Sequence, residues 1–180
     1  MKFLEMAQKR YSVRKFNDTK IEKNKLQLIL EAGRISPTAC NYQPQRILVL
    51  NNEEDLSKLS LCTPYDFNQH LALLVCYDNT VSWKRSFDGK DDGEIDASIV
   101  ATHMMLQAAD LDIGSTWIGY FDPEKIKKVF NIPENIIPVT VLLMGYPSDG
   151  AAPSKLHYER LDLSQTTFYS SFITAEAVKK

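Results

Sequence analysis

The stretch Glu94-Ile-Asp-Ala-Ser-Ile-Val-Ala-Thr-His-Met-Met-Leu-Gln-Ala-Ala-Asp-Leu111 is the strongest helical signal in the chain. Ile95, Ile99, Val100, Met104, Met105, Ala108 and Leu111 occupy nearly its whole circumference. A helix that is apolar all round has to be covered on several sides, inside a core or between subunits. Upstream, Leu71–Tyr77 is a continuous apolar run of strand length, which suits a buried strand. The charged segment Asp78–Asp92 between them reads equally well as a mobile surface loop near a functional centre or as a solvated connection. Downstream come a short strand, Gly114–Ile118, and a helix start at Asp122-Pro123-Glu124 with Pro in the first position. Val139–Met144 is a further buried strand, closed by Gly145-Tyr146-Pro147.

Towards the N-terminus the same reading continues. Arg46–Leu50 is a strand, and Asn52 caps a short helix whose first turn is acidic. Leu26, Ile29, Leu30 and Gly33 give residues 23–35 helical spacing. Pro37 ends that helix and opens the polar loop Pro37–Pro44. Residues 2–9 form a short amphipathic helix followed by a basic segment. The tail from Ser148 has little periodicity but carries Phe168, Tyr169 and Phe172, so it is expected to dock elsewhere, a partner being one such surface. Helices interleaved with strands predict a sheet covered on both faces, of class α+β or α/β.

Composition narrows the function classes. At 180 residues one domain, 1–180, is the default expectation, and 44% hydrophobic with 24% charged residues is ordinary for a globular chain. A net charge of -2 gives no reason to expect a nucleic acid or an anionic membrane as partner. No apolar run is long enough for a membrane span or, near the N-terminus, a signal peptide. Cys40, Cys62 and Cys76 are isolated, against a disulfide framework or a zinc knuckle, and point to reduced thiols in the cytoplasm. His70, His103 and His157 are far apart, so each is expected to bond locally and no metal site is expected. A Gly-x-Gly-x-x-Gly fingerprint, a Walker loop, His-Glu-x-x-His, Cys-x-x-Cys and Gly-x-Ser-x-Gly are all missing.

Three stretches remain. Arg10, Ser12 and Arg14 alternate, and in extended backbone they face one side, as an anion requires. Thr38, Asn41 and Gln43 offer neutral donors and acceptors between Pro37 and Pro44. Gly114 and Gly119 flank Trp117, where backbone can approach a flat ligand. Singly, each is more often a solvated loop, an ordinary turn or a core strand.

Together they are specific. Arg10-x-Ser12-x-Arg14, then Pro37-Thr38-Ala39-x-Asn41-x-Gln43-Pro44, Asp96 opening the apolar helix, Gly114-x-x-Trp117-Ile118-Gly119, Gly145-Tyr146-Pro147 and Arg160 span about residues 3 to 163. In order and spacing this series resembles the nitroreductase-like flavoprotein family. The resemblance implies an α+β fold with a central mixed sheet flanked by helices, in a homodimer that holds FMN at its interface. It implies Arg10, Ser12 and Arg160 on the FMN phosphate, and Arg14 near the ribityl chain and pyrimidine edge. Pro37, Thr38, Ala39, Asn41 and Gln43 match a loop reaching FMN from the other subunit. Trp117, Ile118, Gly119 and Tyr120 match backbone beside the central ring. Gln45, Tyr158 and Ala39 depart from the residues frequent in relatives, which are Trp, Lys or Arg, and Ser. For so short a member, the Asp78–Asp92 loop is the expected lid, with Trp83, Lys84 and Arg85 as substrate contacts.

A phosphate dianion favours bidentate arginines, and a cation at the pyrimidine edge favours the reduced, anionic ring. The cofactor carries the chemistry, so no catalytic side chain is required. The implied activity is electron transfer from NAD(P)H to a small acceptor such as a nitroaromatic or quinone, by a ping-pong route. An FMN carrier or redox sensor without nicotinamide turnover is the alternative. A third is a branch using reduced flavin for dehalogenation or ring fragmentation.

Overall fold

A computed structural model describes residues 2–172. The expected domain, 1–180, runs beyond these at both ends. The elements in chain order are α1 (Phe3–Lys9), α2 (Lys23–Arg34), β1 (Gln45–Leu50), α3 (Glu53–Ser60), β2 (Leu71–Asp78), α4 (Gly93–Asp110), β3 (Gly114–Ile118), α5 (Pro123–Phe130), β4 (Ile136–Gly145) and α6 (Leu163–Thr166). The strands form one sheet in the order β1-β2-β4-β3.

The unbroken apolar run of β2 follows from its central place. Successive side chains alternate faces. Ala72, Leu74 and Cys76 join Leu143, Val141, Ile126, Leu59, Val13 and Phe16 in one core. Leu71, Leu73 and Val75 join Leu142, Met144, Ile29 and the α4 residues Ala97, Val100, Ala101, Met104 and Ala108 in the other. Both faces are therefore dry, as the sequence predicts.

The α+β class holds, but the named strands are not mixed. Every neighbouring pair, β1–β2, β2–β4 and β3–β4, is antiparallel. The reason is topological. β2 and β3 share a direction and are joined through α4, but β4 lies between them and runs against both. Among the described residues the parallel pairing is the isolated bridge of Ser12 to Ser115. β4 also begins earlier than its apolar run suggests, at Ile136, because Pro138 pairs with Cys76 beside a register shift between Val75 and Cys76. A proline has no N–H for the ladder, and a bulge accommodates it.

α4 is buried along one stripe rather than all round. Val100, Met104 and Ala108 are fully enclosed, whereas Ile95 is 45% exposed. The described residues leave the Ile95 side of this helix open. α2 packs on α4 so closely that a Cβ on Gly33 would lie 2.9 Å from Met104 Cγ. The aromatic tail does not fold back onto the core either: Tyr169 is 88% and Phe172 85% exposed.

The Asp78–Asp92 segment is an internally bonded loop. Asp78 Oδ1 accepts from Thr80 N–H, Thr80 Oγ1 and Asn135 Nδ2 at 3.0, 2.6 and 3.0 Å. Arg85 N–H donates to Lys90 O at 2.9 Å, Arg85 grips Asp88 bidentately at 2.8 and 2.6 Å, and Asp92 N–H donates to Trp83 O at 3.0 Å. No helix among the described residues is long and apolar enough to cross a membrane.

Two predictions follow from this packing. A Cβ on Gly93 would run into the Tyr77 ring. Gly93→Ala should therefore destabilise the protein by about 1–3 kcal/mol through overpacking, measured as a lower Cm in urea. The hydrogen bond from the Thr80 hydroxyl, with help from Asn135 and the Thr80 N–H, holds the Asp78 carboxyl down from 3.8 to about 2. The folded state thus binds this proton less readily than the unfolded one, and the stabilisation is present above pH 3.8 and lost as pH falls towards about 2. Asp78→Asn should flatten that part of the acid unfolding curve.

Candidate functional site

The segment leaving α1 is extended and anchored from beneath. Val13 and Phe16 are buried in the core, and Val13 N–H donates to Ser115 O at 3.0 Å. With Val13 pointing inward between Ser12 and Arg14, Arg10, Ser12 and Arg14 line a common cavity of about 190 Å³ together with Tyr11, Ser154, Leu156, His157 and Arg160. Arg160 arrives from the far end of the chain on a short turn, Lys155–His157. That turn is tied to α1 by His157 Nε2, 3.1 Å from Gln8 O, and to the extended segment after it by the His157 ring edge-to-face on Tyr11. The structure thus brings Arg10, Ser12, Arg14 and the distant Arg160 together.

Its electrostatics are one-sided. Among the described residues no carboxylate lines the cavity. Arg160 Nη1 donates to the carbonyls of Leu156 and Glu159 at 3.0 and 2.6 Å, and Arg14 Nη1 to Ser12 O at 3.4 Å. Burial, then the neighbouring charge of Arg160, lowers the Arg10 pKa. Unneutralised guanidinium groups held together beside a hydroxyl favour a multiply charged anion.

β3 runs alongside, its start bridged to Ser12. Trp117 is its outward residue, while Ile118 points into the core and its carbonyl accepts from Thr140 Oγ1 at 3.0 Å. Only backbone is therefore available to a ligand at Ile118. The two glycines around Trp117 differ. A Cβ on Gly114 would lie 2.7 Å from Val13 Cγ2, so that glycine serves internal packing. Gly119 faces open space, as close approach of a flat ligand requires. Tyr120 is exposed, and its carbonyl accepts from Thr63 Oγ1 at 2.8 Å.

The Pro37–Gln43 loop lies elsewhere. Cys40, Asn41 and Gln43 all have left-handed backbone, with φ of 49, 56 and 51°. Outside glycine such conformations cost energy and cluster at functional sites. Gln43 N–H donates to Thr38 Oγ1 at 3.1 Å, Gln43 Nε2 to Asn41 O at 3.2 Å, and Ala39 N–H to Asp96 Oδ1 at 2.9 Å. Asp96 is in the first turn of α4, whereas Arg10 shares a cavity with Ala109 and Asp112 at its last turn. The 18 residues of α4 span about 27 Å. One chain therefore does not bring the loop to the arginines. Trp83, Lys84 and Arg85 also belong to the Asp96 end, through the Asp92–Trp83 bond. Lys84 Nζ donates to Asn79 O at 2.9 Å, and Arg85 is engaged by Asp88.

Sequence reading missed Tyr11, Ser154, Leu156 and His157 as cavity walls, since only the fold brings residues 154–157 to α1. It noted Asp96 by position but not its bond. The available signal was a carboxylate on an otherwise apolar helix.

Among the described residues no group of three His, Cys, Asp or Glu side chains is placed to hold a metal ion. Comparison with known proteins identifies relatives of the fold and the sequence. A solved nitroreductase family protein from Clostridium difficile 630 is 44% identical, with TM-score 0.90 over 95% of this chain and 99% of that one. An FMN-dependent nitroreductase from Clostridium difficile R20291 is 25% identical, with TM-score 0.77 over 94% and 99% of the two chains. An NADPH-dependent oxidoreductase of Staphylococcus aureus is 25% identical over 177 residues, covering 87% of this chain and 70% of that protein. The sequence model of the nitroreductase family matches residues 7–86 and 65–146, most of the chain, and the chain belongs to that family.

Proposed function

We propose that this chain is an FMN-dependent oxidoreductase that transfers electrons from NAD(P)H to a small acceptor, such as a nitroaromatic or a quinone, by a ping-pong route. The observation that carries this reading is the cavity where Arg10, Ser12, Arg14 and Arg160 converge with no carboxylate among its described lining residues. Its donors fit a terminal phosphate in charge and type. The names of the Staphylococcus aureus oxidoreductase and of the Clostridium difficile FMN-dependent nitroreductase support both the cofactor and the electron donor.

In this reading Arg10, Ser12 and Arg160 hold the phosphate. Arg14 sits by the ribityl chain and the pyrimidine edge, where its charge favours the reduced ring. Backbone from Trp117 to Tyr120, opened by Gly119, lies beside the central ring. When bound, FMN supplies hydride acceptance and release, so the protein's task is placement and electrostatics. One open face serves donor and acceptor in turn.

The partner subunit supplies Pro37, Thr38, Ala39, Asn41 and Gln43. The length of α4, which holds this loop away from the arginines of its own chain, supports such an exchange. So do the half-open α4 and the exposed Phe3, Leu4 and Ile35, which a second copy would cover. Trp83, Lys84 and Arg85 then border the substrate. The chain acts as one domain, a cytoplasmic homodimer with small-molecule substrates and no nucleic-acid or membrane partner.

Anaerobic addition of NADH or NADPH to the yellow protein should bleach the flavin, and steady-state plots should give parallel lines. Bound flavin that neither nucleotide reduces would instead mark a carrier or sensor. Arg10→Ala and Arg160→Ala should each raise the FMN Kd by about tenfold or more, since a charge-assisted hydrogen bond contributes roughly 1.5–3 kcal/mol. Arg14→Ala should slow flavin reduction in stopped flow more than it weakens FMN binding, because its interaction strengthens as the ring gains charge. Sedimentation at low micromolar concentration should show a dimer with no folded monomer.

A further inference from the structure

We propose that Asp96 is the positioning residue that holds the Ala39–Gln43 loop in its cofactor-binding shape, through the bond from Ala39 N–H to its carboxylate. The inference rests on the reading above in one respect, that this loop touches FMN.

The loop needs an external hold. Cys40, Asn41 and Gln43 are in left-handed conformations that side chains other than glycine rarely adopt. Its internal bonds, Gln43 N–H to Thr38 Oγ1 and Gln43 Nε2 to Asn41 O, fasten the loop only to itself. Among the described residues two bonds reach beyond it: exposed Arg46 Nη1 of β1 donates to Gln43 O at 3.2 Å from only three positions away, and Ala39 N–H donates to Asp96 Oδ1 at 2.9 Å across 57 positions of sequence, the latter fastening the loop to the helical core. Its base is rigid, because Asp96 sits one turn into α4, next to the buried Ala97 and Val100.

Asp96 itself is anomalous as a packing residue. It is 2% exposed, and its Oδ2 is buried with no hydrogen-bond partner. The charged groups that act on it are Asp92 and Asp91, both of its own sign. Burial, partly offset by the Ala39 bond, raises its pKa. A buried carboxylate without a cation is costly, and an apolar residue in its place would relieve that cost. The feature that such a residue would lose is the acceptor for Ala39.

Asp96→Ala removes this acceptor, while Asp96→Asn keeps a side-chain oxygen there without the charge. Ala39→Pro removes the donor and leaves Asp96 intact; Thr38, at φ -135° and ψ 158°, already has the extended backbone that precedes proline. Three quantities are measured: hydrogen exchange of amides 40–43, FMN Kd of the apoprotein by fluorescence titration, and Cm in urea. Asp96→Ala and Ala39→Pro should each speed exchange and raise the FMN Kd by about tenfold, without loss of Cm for Asp96→Ala. Asp96→Asn should restore both to within about threefold of the parent. The proposal is overturned if Asp96→Ala leaves exchange and Kd at parent values, or if Asp96→Asn is as impaired as Asp96→Ala. Should Asp96→Ala fail to fold, Ala39→Pro decides alone, and parent-like exchange in it overturns the proposal. A parent protein that binds no FMN would refute the functional reading, while the exchange measurements would still judge Asp96.

Discussion

Burial of β2 on both faces is the constraint on which the rest of the structure depends. Alternate residues of one strand feed two cores, so neither core can shift without the other. α2 and α4 close one face. The extended segment with Val13 and Phe16, together with α3 and α5, closes the other. The arginine segment is thus pinned beside β3 by Tyr11 and Val13, which pack on this core and alternate with Arg10, Ser12 and Arg14. Its cations converge because their neighbours are buried.

α4 sets the second dimension. Its length separates the two halves of the proposed cofactor site, and the described residues leave part of its apolar circumference uncovered, where the proposed second copy would pack. On the proposed reading a single helix thereby links burial to assembly. A chain that satisfied all of α4 internally would have no reason to associate, and on the proposed reading its arginines and its loop would never serve the same ligand.

The two ends of this helix also differ in charge. Near its C-terminus Arg10, Arg14 and Arg160 gather in a cavity that no described carboxylate lines, a state that an incoming dianion would relieve. Near its N-terminus a carboxylate is buried without a cation, bonded to one loop amide. Neither arrangement is what stability alone would select. Both are intelligible as the framework of a binding site, where charges left unpaired by the fold are reserved for another molecule or for holding a strained loop.

Local patterns were enough to locate most elements, because alternation, apolar runs and caps act within a few residues. The run Leu71–Tyr77 announced a doubly buried strand, Asp122-Pro123 a helix start, and the ordered series from Arg10 to Arg160 the family. The direction of neighbouring strands was not legible, since β4 enters between β2 and β3 only through long-range pairing. Nor was the difference between Gly114 and Gly119, which rests on Val13 filling the space beside one of them. The walls supplied by His157 and Ser154, the bond from Ala39 to Asp96 and the separation of the loop from its chain's own arginines were likewise decided by tertiary structure. Sequence determines which groups can bond and which faces must be dry; which groups meet depends on how the chain closes over distances that no local pattern records.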